Sequence, residues 1–140
     1  MGRSKGWTLT ELMIVIVMMG IIIGISIPSF KNYIAKTKLD TAKNEILSTL
    51  NAARSSALSE QQNYQVIFEK ATNTYRINPG GASKTLPDGI VISNSFDITY
   101  EFHQDRTALT TPCNVSIVNT QNNSVTFYLI PATGYIEVQE

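Results

Sequence analysis

The feature that most constrains this chain is a run of sixteen residues without a charge, from Leu12 to Ile27. As an α-helix, that run is about 24 Å long, which is short of a hydrocarbon core of roughly 30 Å. Extending the helix back to Leu9 gives nineteen residues and about 28 Å, but the extension includes Glu11. The segment therefore predicts a membrane-spanning helix with one carboxylate near its N-terminal end.

Glu11 needs an explanation, because a lipid anchor gains nothing from a carboxylate. An acidic side chain at the middle of a membrane helix costs roughly 2.5–3.5 kcal/mol, and less near an end. Such a residue is by default a candidate functional residue. The alternative is a carboxylate that reaches the lipid headgroups and has no further role.

The residues before the apolar run predict its orientation. Arg3 and Lys5 stand there without an acid, so the positive-inside rule keeps the N-terminus in the cytoplasm and delivers the rest of the chain outside. A secretory signal would carry a small-residue cleavage site after the apolar run, and Ser26-Ile27-Pro28 fits that pattern poorly. The distinctive junction lies before the run, at Gly6-Trp7-Thr8-Leu9-Thr10-Glu11.

This junction resembles the processing signal of type IV pilins and type II secretion pseudopilins. Their pattern is a short basic leader, a Gly, a hydrophobic residue, Thr-Leu, and a Glu as the fifth residue after the cut. The resemblance implies that prepilin peptidase cleaves between Gly6 and Trp7, and that the new amino group of Trp7 is N-methylated. Trp7 departs from the family, which usually has Phe at this position.

Cleavage would give Glu11 a physical role in assembly. The new α-amine has a reference pKa of about 7.7–8.0 and is mostly cationic at neutral pH. In a low-dielectric assembly it can pair with Glu11 of a neighbouring subunit, and removal of one partner would be strongly destabilising. Glu11 would therefore favour a filament over lipid.

Gly20 and Gly24 interrupt the apolar run, and Pro28 follows it directly. Gly20 and Pro28 fall where pilins carry helix-weakening residues, which implies that the helix can partly unwind when it packs. Two alternatives remain open, namely a simple kink at Pro28 and close helix approach through the Gly20–Gly24 spacing.

The sequence pattern predicts an α+β fold with a long N-terminal helix, transmembrane in its first half, packed on an antiparallel β-sheet domain, and the resemblance implies that this fold is pilin-like. Apolar or small residues continue at helical spacing from Ile34 to Ala57, so one helix is expected from about Trp7 to about Glu60. From Asn63 the period changes to two. Strands are predicted at 65–68, 74–77, 90–92, 97–102, 115–118, 125–130 and 135–138. The expected organisation is a leader at 1–6, a transmembrane segment at 7–28, an amphipathic helix at 29–62 and an antiparallel β domain at 63–140.

The sequence predicts neither an enzyme nor a cofactor. Cys113 and His103 are the only residues of their types, which excludes an intramolecular disulfide and a multi-His metal site. His103, Asp105 and Cys113 could be drawn as a catalytic triad, but no nucleophile motif surrounds them. Gly80-Gly81 lacks the helix and Lys of a phosphate-binding loop.

Two further segments favour a narrower assignment. Leu50 to Leu58, followed by Val66 and Phe68, and Leu129 to Val138 resemble the helix end and closing hairpin of minor pseudopilins of the GspH/FimT group. That resemblance implies a low-abundance subunit that initiates or caps a type II secretion pseudopilus or a type IV pilus. The implied partners are prepilin peptidase, other major and minor pilins or pseudopilins, and an inner-membrane assembly platform. The implied location is the bacterial inner membrane, crossed once, and then an extracytoplasmic filament.

Two other functions remain open. Some FimT-like pilins bind DNA, which would require cations near the closing turn, yet no Arg lies close to Gly134 in sequence. Eleven basic and eleven acidic residues in the whole chain also argue against binding through bulk positive charge. Lys70, Arg76 and Lys84 could still form a basic patch on one hairpin. The third possibility is a membrane-tethered binding domain that never polymerises.

Overall fold

The computed structural model describes residues 6–105, 108–111 and 114–140. The chain divides into two compact units, Met1–Ile34 and Ala35–Glu140. One helix, α1, is assigned over Leu9–Glu60 and therefore contributes to both units. The side chains at 26–29 and 109–111 lie outside the description.

In the first unit, α1 begins with a local cap and exposes its apolar side chains. The Thr8 hydroxyl accepts a hydrogen bond from the N–H of Glu11 at 3.3 Å, and the Thr8 carbonyl accepts one from Leu12 at 3.2 Å. Thr8 is thus the N-cap residue. Large apolar side chains are then exposed, from 55% for Leu12 to 70% for Ile25. By length and composition this helix is able to cross a membrane.

In the second unit, α1 buries one stripe against the β strands. The stripe follows steps of three and four residues, as expected for one face of a helix, and consists of Leu39, Ala42, Ile46, Leu50, Ala53 and Ala57. The helix ends at Glu60, where Gln61 adopts a left-handed φ of 51°, a conformation common just after a helix.

The strands of the second unit form two antiparallel sheets. They are β1 Tyr64–Glu69, β2 Thr74–Asn78, β3 Lys84–Thr85, β4 Ile90–Ile92, β5 Ile98–Phe102, β6 Ala108–Thr111, β7 Asn114–Asn119, β8 Ser124–Ile130 and β9 Tyr135–Gln139. The first sheet has the order β3-β2-β1-β5-β6, and the second has the order β4-β7-β8-β9. Side chains alternate between buried and more exposed positions along β1, β4, β5, β7 and β8, so each sheet has an inner and an outer face.

One hydrophobic core joins both sheets to the second half of α1. The Phe68 ring stacks on Tyr75 at 5.9 Å and meets the edge of Tyr100 at 5.7 Å between centroids. The buried Tyr100 hydroxyl donates to the Phe127 carbonyl at 2.8 Å and thereby links the sheets. The predicted α+β fold class is confirmed.

The prediction missed two strands. β3 has only two residues, too few for a period to be recognised. The structure also assigns strand β6 over Ala108–Thr111, where the sequence pattern predicted no strand. The stretch lacks apolar alternation, and its extended form depends on pairing with β5, which is set by tertiary structure.

Candidate assembly site

The predicted cleavage junction lies just before and within the first turn of α1. Gly6, Trp7 and Thr8 precede the helix, and Trp7 is 71% exposed. Glu11 is the third helical residue after the Thr8 cap. At this end of a helix the backbone dipole favours a carboxylate by typically about 0.3–1 kcal/mol, so the position lowers the cost of the Glu11 charge.

Thr8-Leu9-Thr10-Glu11 also has the spacing of a capping box, a signal that the sequence analysis overlooked. In a complete box the glutamate would accept a hydrogen bond from the backbone N–H of Thr8. Only the half in which the Thr8 hydroxyl accepts is observed. The described part of the chain provides no hydrogen bond or ion pair to the exposed Glu11 carboxylate. The Glu11 carboxylate is therefore not engaged in capping its own helix.

The three residues predicted to soften the helix all lie inside α1, which is assigned as continuous α-helix. A Cβ atom added at Gly20 or Gly24 would meet nothing within 4 Å, so neither glycine is required by packing in the isolated chain. The Pro28 side chain belongs to the stretch that is not described. Partial unwinding remains a prediction.

In the second unit, polar contacts fasten the helix to distant parts of the β domain. Arg54 Nη2 donates to the Thr133 carbonyl in the β8–β9 turn at 2.9 Å, so an arginine does reach the closing turn. The Asn119 amide donates to the Ala35 carbonyl at 3.3 Å, and its oxygen accepts from the N–H groups of Gln121 and Asn123, each at 2.9 Å.

An ion pair adds a further contact between the helix and the β domain. Lys43 donates to the Glu140 carboxylate, and Asp40 lies 3.7 Å from the same ammonium. The hydrogen bond from Lys43 lowers the pKa of Glu140. The same bond raises the pKa of Lys43, against a smaller opposing effect of burial.

His103 and Asp105, two of the three residues considered for catalysis, lie in the described part of the chain. Cys113 lies outside it. His103 Nε2 is buried without a hydrogen-bond partner there, and that part contains no group of three or more His, Cys, Asp and Glu able to hold a metal ion. An open groove of about 660 Å³ is lined by Thr41, Asn44, Glu45, Ser48, Lys84 and Thr85. None of the three candidate residues is among them.

The candidate basic patch is partly neutralised. Arg76 Nε lies 3.5 Å from a Glu69 oxygen on the paired strand. Lys84 is on β3, and Lys70 lies in the turn after β1. Because phosphate contacts dominate DNA affinity, one paired arginine and two separate lysines give little support for a DNA surface.

The fold and the N-terminal site define an α+β protein with an apolar helix available for a membrane or for other helices. Its curated relatives are type IV pilins. A fimbrial protein of Pseudomonas aeruginosa is 35% identical over 89 residues, covering 64% of this chain and 56% of that protein. The type IV major pilin PilA of Myxococcus xanthus is 42% identical over 62 residues, covering 44% and 28%. The type IV major alpha-pilin of Moraxella bovis is 34% identical over 77 residues, covering 55% and 48%.

The chain spans about half the length, or less, of these three relatives. No family model matches it, and no solved structure matches it significantly. The similarity therefore extends to type IV pilins in general, while the assignment to the GspH/FimT group stays a prediction.

Proposed function

We propose that this chain is a pilin-like filament subunit with a structural role and no catalysis of its own. The observation that carries the proposal is that two features occur together in a chain that is similar to pilins. One is a Gly6-to-Glu11 junction of the pilin type. The other is an apolar helix in which most of the described large side chains are more than half exposed in the isolated chain.

The proposed sequence of events begins in the inner membrane, which the helix crosses once with its N-terminus inside. Prepilin peptidase cleaves between Gly6 and Trp7, and Trp7 is N-methylated. The cationic amine then pairs with Glu11 of a neighbouring subunit in the filament core. The exposed carboxylate, which has no partner among the described residues, supports this role because a buried charge requires a compensating one.

Within that function, we propose that Gly20, Gly24 and Pro28 let the helix partly unwind as it joins the filament. Glycine lowers helix stability by about 0.5–1 kcal/mol relative to alanine. Proline also removes a backbone donor. In lipid, backbone groups released by unwinding would have no hydrogen-bond partner, so the helix stays intact there. On assembly, neighbouring helices can supply those partners.

The narrower proposal is a minor subunit at the tip of a type II pseudopilus or a type IV pilus, in contact with other pilins and with an inner-membrane platform. It is supported by the resemblance at Leu50–Leu58 and Leu129–Val138. Quantitative mass spectrometry of sheared filaments tests it. A minor subunit is expected at a few copies per filament, whereas a stoichiometric amount would identify a major one.

DNA binding is the alternative function, and the observation in its favour is Arg54 at the closing turn. Four basic and seven acidic residues follow Gln62, which opposes it. Binding that weakens steeply with salt and is lost on Arg54→Gln in the full chain would establish this alternative.

The primary test is the N-terminus of the native product. Mass spectrometry is expected to find N-methylated Trp7, and Gly6→Val is expected to leave the leader attached. An intact Met1 end in the native product would contradict the pilin assignment and leave a tethered β domain.

The test of Glu11 is incorporation into filaments. Glu11→Val should preserve membrane insertion and abolish incorporation, because it leaves the neighbour's cationic amine without a partner. Thr10→Val is the matched control one residue earlier, with incorporation expected to be retained. Normal incorporation of Glu11→Val would overturn the pairing mechanism.

A further inference from the structure

The bond that the proposed function assigns to the peptidase lies just outside α1. Gly6, Trp7 and Thr8 are exposed and precede the helix, whose first residue is Leu9. Within the described part of the chain, neither the Gly6 carbonyl nor the Trp7 N–H makes a backbone hydrogen bond. The backbone on both sides of this bond is therefore open to a second protein.

The distance between a cleaved bond and a helix matters for any peptidase. A peptide bond inside a helix has to be released by local unwinding before it can be cut. Next to lipid this unwinding is costly, because the freed backbone groups find no partner there. A helix that begins after the bond removes this cost, so the position of the helix start contributes to the cleavage rate.

One side chain holds the start of α1 in place. The N–H of Glu11 is shared between the carbonyl and the hydroxyl of Thr8, at 3.1 and 3.3 Å. The hydroxyls of Thr8 and Thr10 also share a hydrogen bond of 3.0 Å, so the capping oxygen is held from two sides. Since an N-cap residue has non-helical φ and ψ, a capped Thr8 stops the helix from growing toward the bond.

Without this cap, the sequence contains two other candidates for the start of the helix. Ser4 is the nearest residue of an N-cap type before Thr8, and Thr10 is the nearest one after it. A start at Ser4 would include the Gly6–Trp7 bond in the first turn, which Gly6 opposes because glycine lowers helix stability. A start at Thr10 would move the helix away from the bond. Loss of the cap would therefore divide the chains among several starts.

We propose that Thr8 is a positioning residue for processing, because its hydroxyl ends α1 and thereby presents the Gly6–Trp7 bond in an open conformation at a fixed distance from the helix. The inference rests on the proposed function, since it requires a peptidase that acts at this bond. Hydrolysis adds one water across the bond and leaves a Gly6 carboxylate and a Trp7 ammonium. Thr8 takes no part in that chemistry and acts only through the backbone.

Initial rates of cleavage of the full chain by prepilin peptidase in lipid vesicles, at substrate concentrations below KM, test the inference. Thr8→Val keeps the shape of the side chain and removes the capping oxygen. We expect its rate to fall about fivefold, the effect of losing one typical N-cap. Thr8→Ser and Thr8→Asn cap a helix at least as well as threonine, so both should be cleaved at the wild-type rate or faster.

A matched control and a direct measurement of the helix start separate capping from other effects. Thr41→Val removes a hydroxyl that donates to the Thr37 carbonyl within α1 at 2.9 Å, and it should leave the rate unchanged. Hydrogen exchange at the Glu11 N–H reports the cap itself. Exchange should be about fivefold faster in Thr8→Val and should return to the wild-type rate in Thr8→Asn.

The order of the variants decides the outcome. A peptidase that recognised the shape of the threonine side chain would cleave Thr8→Val normally and Thr8→Asn slowly. The inference is therefore overturned if Thr8→Val is cleaved at the wild-type rate, or if Thr8→Asn is as slow as Thr8→Val. Failure of the proposed function is read separately, as a wild-type chain that the peptidase leaves uncut and that keeps its Met1 end in cells.

Discussion

The two halves of α1 differ in the number, the arrangement and the burial of their apolar side chains. Ile16 in the first half is 61% exposed, and Ile46 in the second is fully buried. The second half places its apolar residues on one stripe, which the β strands cover. The first half is apolar around its circumference, as in helices that meet lipid or other helices on all sides. The difference indicates that intramolecular packing stabilises only the second half.

The largest expected effect separates these halves directly. Ile46→Ala should lower the free energy of unfolding by about 2–5 kcal/mol, because it leaves a cavity in the core. Ile16→Ala is the matched control and should leave the unfolding midpoint unchanged. Thermal unfolding of the full chain in detergent, followed by circular dichroism, measures both. Equal losses would show that the first half also stabilises the β domain.

A glycine pair tests the same contrast through the backbone. A Cβ at Gly81 would lie 2.5 Å from the Ile77 carbonyl oxygen, whereas one at Gly20 would meet nothing within 4 Å. Gly81→Ala should therefore cost about 1–3 kcal/mol of stability, as overpacking typically does.

Gly20→Ala should be neutral for the β domain and stabilise the helix by about 0.5–1 kcal/mol. If unwinding accompanies assembly, Gly20→Ala should also slow incorporation into filaments, measured by pulse labelling. Unchanged incorporation would remove the support for a softening role of Gly20.

Asn119 tests the attachment of the second half of α1 to the β7–β8 hairpin. Asn119→Ala removes three hydrogen bonds of a side chain that is 5% exposed. The free energy of unfolding should fall by about 1–2 kcal/mol. Asn123→Ala, at an exposed position in the same turn, should change it little. An unchanged free energy of unfolding for Asn119→Ala would mean that hydrogen bonds to water replace these three bonds without loss of stability.

Local patterns predicted most of the fold. Helical spacing in Ile34–Ala57 and alternation in 125–130 follow from side-chain geometry alone, and both elements were found. The contact between Arg54 and Thr133 joins residues 79 positions apart, so it depends on the completed fold and left no local signal.

The candidate site was predictable to a different extent. Gly6, Trp7 and Glu11 belong to one short motif, which is readable without a structure. The capping role of Thr8 was also readable from its spacing to Glu11. The partner of the Glu11 carboxylate was not, because the described residues of a single chain do not contain it.

The smallest effect is expected at Lys43 and Glu140, where an exposed ion pair joins the second half of α1 to the end of β9. Lys43 lowers the pKa of Glu140. The stabilisation by this carboxylate is therefore fully present above the ordinary pKa of a glutamate, about 4.3. It is lost as the pH falls through the lowered value. The pKa of Lys43 is raised, so its contribution is present below about pH 10.4 and lost above. Exposed pairs contribute little and are screened by salt.

Glu140→Gln should therefore lower the unfolding midpoint only slightly at pH 7 and low salt, and not at all at pH 2. Glu137→Gln, at an exposed glutamate two strand positions before Gln139, is the control. A large loss at pH 7, or one that persists at pH 2, would mean that Glu140 acts through packing and that charge is not the cause.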